Sequence, residues 1–504
     1  LSNSSFSIFD YSLFLNTHLN DLTIAEFGFG IRHVQMICMC KCMIALFIAR
    51  SSLGVAILAM TDSTRRNDTN VEIYDWDKKT QGLILSSFFW GYMTMQIPAG
   101  LLAKKYGGKL ILLVALLANA VLCLALPTLV HYGGWISVCV CRVCMGLTQA
   151  CLFPASHTLL GRWLPASERT ALTGLVYGGS QIGTIIAMPV SGLLAETAMG
   201  WKTIFYSISG LMLVTALIWF CFAASSPGEH RMISDEEKDY IEMELNTGHH
   251  SKHNRPTPWG DMFRTVPMWA ILVTHVGSTI AFTLFFVDLP TYLEMAMQIS
   301  LKNSAMLSAL PYFGMWVGSV VSSNICESIY NRGLLSVVTC RKMFNSIALF
   351  GTAIGCIVLA FLHPEEKQLA VVVLVGTLTM YGFISAGFMV NHLDLSPHFA
   401  GVMLSITNFA GGLGSILTPV ITSLILRKDP GAISSWRIVF LMVAGIVVTV
   451  NIFYVIFGSA DRQTWDSQEF HERRRATIEE MKPLKNLKKL QEKNEKANKK
   501  ASKR

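Results

Sequence analysis

A chain of 504 residues that is 52% hydrophobic and only 15% charged carries too little charge for a water-soluble protein, where about a quarter is usual. The formal charge is +8, and the stretch 459–504 supplies most of it with 14 Lys/Arg against 8 Asp/Glu. The remainder is close to neutral and sets its charges between long apolar runs, which excludes a nucleic-acid-binding body and indicates an all-α polytopic membrane protein. The 12 cysteines fall mostly inside those runs, so they do not read as a disulfide framework.

In chain order, residues 1–33 form an N-terminal segment, of which 1–27 are polar and aromatic without a basic n-region or cleavage site, so no signal peptide is read. Twelve apolar stretches follow, each long enough to cross a bilayer with about 20 residues. They lie at 35–60, 81–103, 109–131, 136–158, 170–194, 203–223, 268–292, 304–326, 342–362, 369–391, 402–425 and 436–458. "CMCKC" at 38–42 reads as small apolar packing residues rather than a metal site. The connections "KKYGGK", "GRWLPASERT" and "NRG…CRK" are basic and follow even-numbered spans. By the positive-inside rule both termini and the 224–266 loop are then expected on the cytoplasmic side. That loop holds Ser234 with Glu237 three residues on, a capping box that predicts a short surface helix. It divides the chain into halves 34–223 and 267–458, followed by a basic cytoplasmic tail, 459–504.

The halves read as repeats. Spans 2 and 8 each place a glycine, Gly91 or Gly314, about four turns before a tyrosine and a basic turn. Spans 5 and 11 each carry a glycine cluster followed by proline, "GGSQIGTIIAMP" and "AGGLGSILTP". Glycines in such places let helices approach closely.

Arg50 stands in the middle of "ALFIARSSLGVAILAM". A charge near the bilayer centre costs at least about 2.5–3.5 kcal/mol, so it faces a partner or a polar cavity. Deep acidic residues are scarce: Asp288, Glu294 and Asp394 lie near span ends and Glu327 borders a loop. A cation without a fixed anion suits an anion that comes and goes. Arg142 of span 4 lies at a comparable depth, roughly 10–15 Å from the same end. Two guanidinium forks at one depth suit phosphate or carboxylate. Gln149 falls on the face of Arg142, two turns later. "VNHLD" sets Asn391, His392 and Asp394 at the end of span 10, where they are candidates for an inner gate. For Asp394 a loop cap is the slightly preferred reading. Asn408 and the span-11 glycines offer oxygen ligands to Na⁺. "NDT" at 67–69 is a glycosylation sequon in the outer loop after span 1, which makes Asn67 the acceptor; Asn3 should stay unmodified inside.

The stretches "WDKKTQGLILSSFFWGYMTMQIPAG", "FPASHTLLGRWLPASERT", "PTYLE", "SALPYFGM" and "VNHLDLSP" carry a resemblance running from about Phe29 to Asp466. The chain resembles the anion/cation symporter branch of the major facilitator superfamily, with its sodium/phosphate cotransporters, sialin and vesicular glutamate transporters. Within the branch it most resembles the inorganic phosphate cotransporter members. The resemblance implies a twelve-helix fold in two six-helix halves. It also implies that Arg50 and Arg142 bind the substrate anion, and that His157 acts in coupling or gating. Proton-coupled relatives carry glutamate where this chain has Gln149, and vesicular glutamate transporters carry arginine where it has Ser278.

The expected function is therefore secondary active anion transport by alternating access, with sodium-coupled phosphate or small organic anion first. A proton-linked organic-anion carrier of the sialic-acid kind and a non-transporting anion sensor are the alternatives. The expected partners are a small anion, a coupling cation and the lipid bilayer, without nucleic acid. No resident cofactor or metal is expected; Na⁺ enters only as a transported ion. The membrane is expected to be the plasma membrane or an endolysosomal or vesicular one. No phosphate-binding loop, zinc-protease motif or paired intramembrane catalytic set is present, so the chain does not read as an enzyme.

Overall fold

The computed structural model describes residues 28–61, 72–245, 256–299, 309–426, 431–467 and 469–474. Among them the regular structure is entirely helical, as a bilayer demands of a chain whose backbone groups must be satisfied internally. The N-terminal half holds α1 (Ile31–Met60), α2 (Lys78–Tyr106), α3 (Gly108–Gln149), α4 (Leu152–Trp163), α5 (Arg169–Ala195) and α6 (Trp201–Phe222). The linker carries α7 (Asp235–Glu244) and α8 (Trp259–Arg264). The C-terminal half begins with α9 (Val266–Thr283), which runs on through two π-helical turns, Leu284–Asp288 and Tyr292–Ala296. It continues with α10 (Ala309–Asn331), α11 (Val337–Phe361), α12 (Lys367–Tyr381), α13 (Phe388–Leu395), α14 (Ala400–Leu426) and α15 (Ile433–Phe457).

Nine segments among the described residues are long and apolar enough to cross a membrane, against the twelve expected. Two of the other expected spans fall on α2 and α10, which are long enough but diluted, α2 by Ser, Thr, Gln and Gly and α10 by Ser, Asn and Gly. Two more expected spans fall within the single 56-residue segment Gly108–Trp163. Gly134 there has φ 55° and ψ −148°, a left-handed conformation that glycine reaches without strain, and it breaks α3 into two limbs.

A repeat appears in the helix packing, although the glycine at the span-8 crossing is Gly318, one turn after the expected Gly314. In the first half a Cβ on Gly91 would strike the carbonyl of Val143, and one on Gly146 would strike that of Phe88. In the second half Gly318 stands against the carbonyl of Thr379, and Gly382 against that of Met315. Span 2 thus crosses span 4 as span 8 crosses span 10, each through a reciprocal glycine pair. Gly179 and Gly183 of α5 likewise press on Cys40 and Ile44 of α1, while Gly411 and Gly414 of α14 press on Thr279 and Ile280 of α9. Each half buries its own apolar core, and Val390, Leu393 and Ala400 of the second half pack into the core of the first. Cys38, Cys40 and Cys42 are all buried in this packing.

The linker is tied to the first half. Ser234 caps α7 by accepting from the Glu237 amide at 3.2 Å, as its motif predicts. The Glu237 carboxylate completes no box. It turns to α1, accepting from the Ile31 and Arg32 amides at 3.0 and 3.1 Å and from Arg32 Nη1 at 3.0 Å. Glu168 takes Arg32 Nε and Nη2, each at 2.6 Å. Arg32 is completely buried, and two carboxylates compensate it. The bundle end marked by this cluster is called the linker end below.

Candidate functional site

Arg50 lies 18 residues into α1 from Arg32, roughly 27 Å along the axis at 1.5 Å per residue. Arg142 lies on the second limb of α3 and is 4% exposed. The Gly91/Gly146 crossing lets α2 approach that limb closely and brings Phe88 within reach of both cations. The Arg50 guanidinium carbon stands 4.7 Å from the Phe88 ring centre and 4.8 Å from that of Tyr92. Phe89 and Phe47 follow at 5.4 and 5.5 Å. The Arg142 guanidinium carbon is 4.8 Å from the same Phe88 ring.

Ring faces attract cations by about 0.5–2 kcal/mol, but they leave the charge in place. Neither Arg50 nor Arg142 forms an ion pair among the described residues. Arg142 Nη2 reaches only the Arg50 carbonyl, at 3.5 Å; Nη1 stands 4.0 Å from the Met145 sulfur, and Nε has no hydrogen-bond partner. The two arginines expected to act together are thus together, around one ring, with donors to spare. Such a pair suits an oxyanion, which accepts several charge-assisted bonds at once.

Tyr92 extends this cradle across the bundle. Its hydroxyl accepts from the Asn408 amide of α14 at 3.0 Å, and the same amide reaches Gln96 at 3.1 Å. Asn408 therefore joins the second half to the ring that covers Arg50. Gln149 takes another direction: it donates to Asn119 on the first limb of α3 at 2.9 Å, and Asn119 donates to Thr148 at 2.8 Å. Its place is a polar clamp between the two limbs, although it shares a helix with Arg142.

Toward the linker end the halves meet in a polar seam. Asp394 of α13 does not cap a loop, and the slight preference for that reading is corrected here. It accepts from Arg341 Nε of its own half at 2.7 Å and from Arg169 Nη1 of the other half at 3.2 Å. Arg341 also donates to Thr170 across the seam at 3.1 Å, and Glu327 accepts from the Ala171 amide at 2.9 Å. Arg169 and Arg341 come from two of the basic stretches that set the expected orientation, yet they are 7% and 5% exposed. They are buried charges paired with Asp394 rather than solvated loop charges. A cavity of about 270 Å³ adjoins this network, lined among others by Arg169, Arg341, Asp394, Glu244 and Arg462.

His157, His392 and Asn391 lie deeper in the same seam. His157 of α4 bonds the Tyr177 hydroxyl and reaches the Met389 carbonyl of the other half at 3.3 Å. Its ring stands edge-on to His392, centre to centre 5.6 Å. His392 contacts Thr407 at 2.9 Å, and so does His275 of α9 at 3.0 Å. Asn391 turns away and donates to Tyr454 at 2.7 Å. His275, Thr407, Tyr177, Arg169 and Arg341 were not foreseen from the sequence as site residues. A polar run at a span end is readable, but which distant span supplies its partners is not. Asn67 lies outside the described residues.

The chain matches the family model described as Major Facilitator Superfamily over residues 39–419. It is 34% identical over 453 residues to a Drosophila melanogaster protein named "Putative inorganic phosphate cotransporter", covering 85% of each chain. It is 31% identical over 446 residues to human sialin, covering 84% of this chain and 89% of that one. The fold matches the proton:xylose symporter XylE with a TM-score of 0.64 at 12% identity, covering 85% of this chain and 98% of that one. The last likeness shows the fold alone.

Proposed function

Since the chain belongs to the major facilitator superfamily, we propose that it is a secondary transporter of a small anion, inorganic phosphate or an organic carboxylate. Two guanidiniums around one phenyl ring, Arg142 buried and Arg50 partly buried, without a carboxylate of their own among the described residues, carry this reading. A transported anion supplies the missing charge, and Arg142 Nε is free to bind it. The names of the relatives support the substrate class.

The contacts between the halves support alternating access. The seam at the linker end is closed by Asp394, Arg169 and Arg341, and opening there separates Arg169 from Asp394 while Arg341 stays with it. Asn408 on Tyr92 gives the second half a contact with the anion cradle, so occupancy of the cradle is felt across the seam. The reading places twelve spans in the bilayer, with both termini and the linker cytoplasmic, in the plasma membrane or a vesicular one.

For the coupling cation, sodium is the first reading, because Gln149 cannot carry a proton where proton-coupled relatives have glutamate. A proton-linked carrier is the second, favoured by three buried histidines at the seam. The test is uptake of labelled phosphate and organic anions into proteoliposomes at clamped potential. One arm imposes a sodium gradient at fixed pH, the other a pH gradient without sodium. Accumulation of an anion in either arm supports transport and identifies the cation. Failure of every anion to move refutes the reading.

A further inference from the structure

We infer that His392, switched by the Thr407 hydroxyl, is a one-proton store built into the seam between the halves. The inference rests on the second reading above.

The hydrogen-bond bookkeeping of the cluster leads to it. A carbonyl only accepts, so the contacts of Met389 O require a proton on His157 Nε2, at 3.3 Å, and on His392 Nδ1, at 3.1 Å. With all three rings neutral, His157 Nδ1 must then accept from the Tyr177 hydroxyl, and His392 Nε2 must accept from Thr407 at 2.9 Å. Thr407 has one hydrogen. Having given it to His392, its oxygen accepts from His275 Nδ1 at 3.0 Å. One assignment therefore serves every contact among the neutral rings.

The same atoms serve the protonated state equally well. The Thr407 oxygen also lies 3.2 Å from the Leu404 carbonyl. When a proton from water bonds to His392 Nε2, the Thr407 hydroxyl rotates its hydrogen onto Leu404 O. Its oxygen then accepts from both His392 Nε2 and His275 Nδ1. The ring gains one positive charge, and these contacts all keep a partner. Release of the proton to water reverses the rotation. Within the cluster the two states differ by no heavy-atom position, which distinguishes this site from an ordinary buried histidine with one fixed partner.

The surroundings tie the store to the gate. Facing it are His157 from α4, His275 from α9 and Tyr177 from α5, with Tyr454 from α15 held through Asn391. Asp394 lies two residues along α13, shared by Arg341 of α11 and Arg169 of α5. In the closed seam Arg169 and Arg341 both lie against Asp394, and a third cation beside them is disfavoured. Separation of the halves removes Arg169 and His157 from the second half, leaving the neutral Arg341–Asp394 pair. Opening therefore removes positive charge from around His392, and a proton on His392 favours opening. His392 is fully buried while the halves are together, so it exchanges protons with water only when they move.

The experiment compares anion exchange at equal pH, which needs no net proton movement, with accumulation under a one-unit pH gradient without sodium at clamped potential. One coupled proton drives up to about tenfold accumulation per unit. In the wild type that accumulation is expected. In His392→Gln, which keeps the hydrogen bond and cannot titrate, the ratio of accumulation to exchange should fall to about one-tenth. Thr407→Val should lower the same ratio and Thr407→Ser restore it. Accumulation by His392→Gln at the wild-type ratio overturns the inference, as does a wild type that exchanges anion but never accumulates it on a pH gradient. If His392→Gln neither exchanges nor accumulates, the Thr407 pair decides by the same ratio. If the wild type exchanges no anion, the transport reading has failed. Nitrogen NMR of histidine-labelled protein, wild type minus His392→Gln, then decides the proton site alone. The expected ring is an Nδ1–H tautomer in base and doubly protonated in acid, and a ring unchanged by acid refutes the store.

Discussion

Replacing Asp394 by asparagine removes the charge that joins the halves while keeping the side chain's shape. Opening the linker end breaks the Arg169–Asp394 bond at 3.2 Å, the Arg341–Thr170 bond at 3.1 Å and the Ala171–Glu327 bond at 2.9 Å. The Arg341–Asp394 bond at 2.7 Å lies within one half and survives. The substitution therefore changes the open-to-closed balance mainly through one charge-assisted bond, worth about 1.5–3 kcal/mol. That converts to a roughly ten- to hundredfold larger open fraction. The two arginines left without a carboxylate repel each other and push in the same direction. Cys340 reports the change, because it lines the adjoining cavity beside Arg341 and is 1% exposed. In purified protein, maleimide labelling of Cys340 followed by peptide mass spectrometry should be roughly ten- to a hundredfold faster in Asp394→Asn. An equal labelling rate in a well-folded Asp394→Asn protein refutes the gate.

Arg142→Lys should lose most transport while reaching the membrane, because lysine keeps the charge but not the planar fork; wild-type flux in that variant removes the bidentate role. Arg32→Ala leaves Glu168 and Glu237 facing each other beside α1, a loss of about 3–5 kcal/mol for a broken buried pair. Its expected signature is low yield and an early thermal transition, and wild-type melting contradicts it. Asn67→Gln should abolish a glycosidase-sensitive mass shift in protein made through the secretory pathway; a glycan at Asn3 instead would reverse the proposed orientation.

The fold was legible because a bilayer imposes long apolar runs, and because glycine and proline punctuate both halves at matching places. Arg50 and Arg142 were legible for a related reason: a cation inside an apolar run has no local partner, so its sequence context already poses the question. Arg169 and Arg341 were misleading, since a charge at a span end looks solvated whether it meets water or a carboxylate from another helix. Asp394 is separated from Arg169 by 225 residues, and no periodicity encodes that pairing. The capping box was half legible. Ser234 acts locally, as capping does, whereas Glu237 finds in Arg32 a stronger, charged partner 205 residues away. His275 gave no signal, because a lone histidine in a span reads the same whether it packs or shares a hydroxyl with another histidine.

Exchange of labelled anions by purified, reconstituted protein, wild type against Arg50→Gln with Arg142→Gln, tests most directly whether the two guanidiniums hold the cargo. The wild type is expected to exchange phosphate or a small carboxylate and to ignore neutral sugars. The double variant should retain its fold and lose that exchange. Undiminished anion exchange by the double variant, or movement of neutral solutes alone by the wild type, would contradict it.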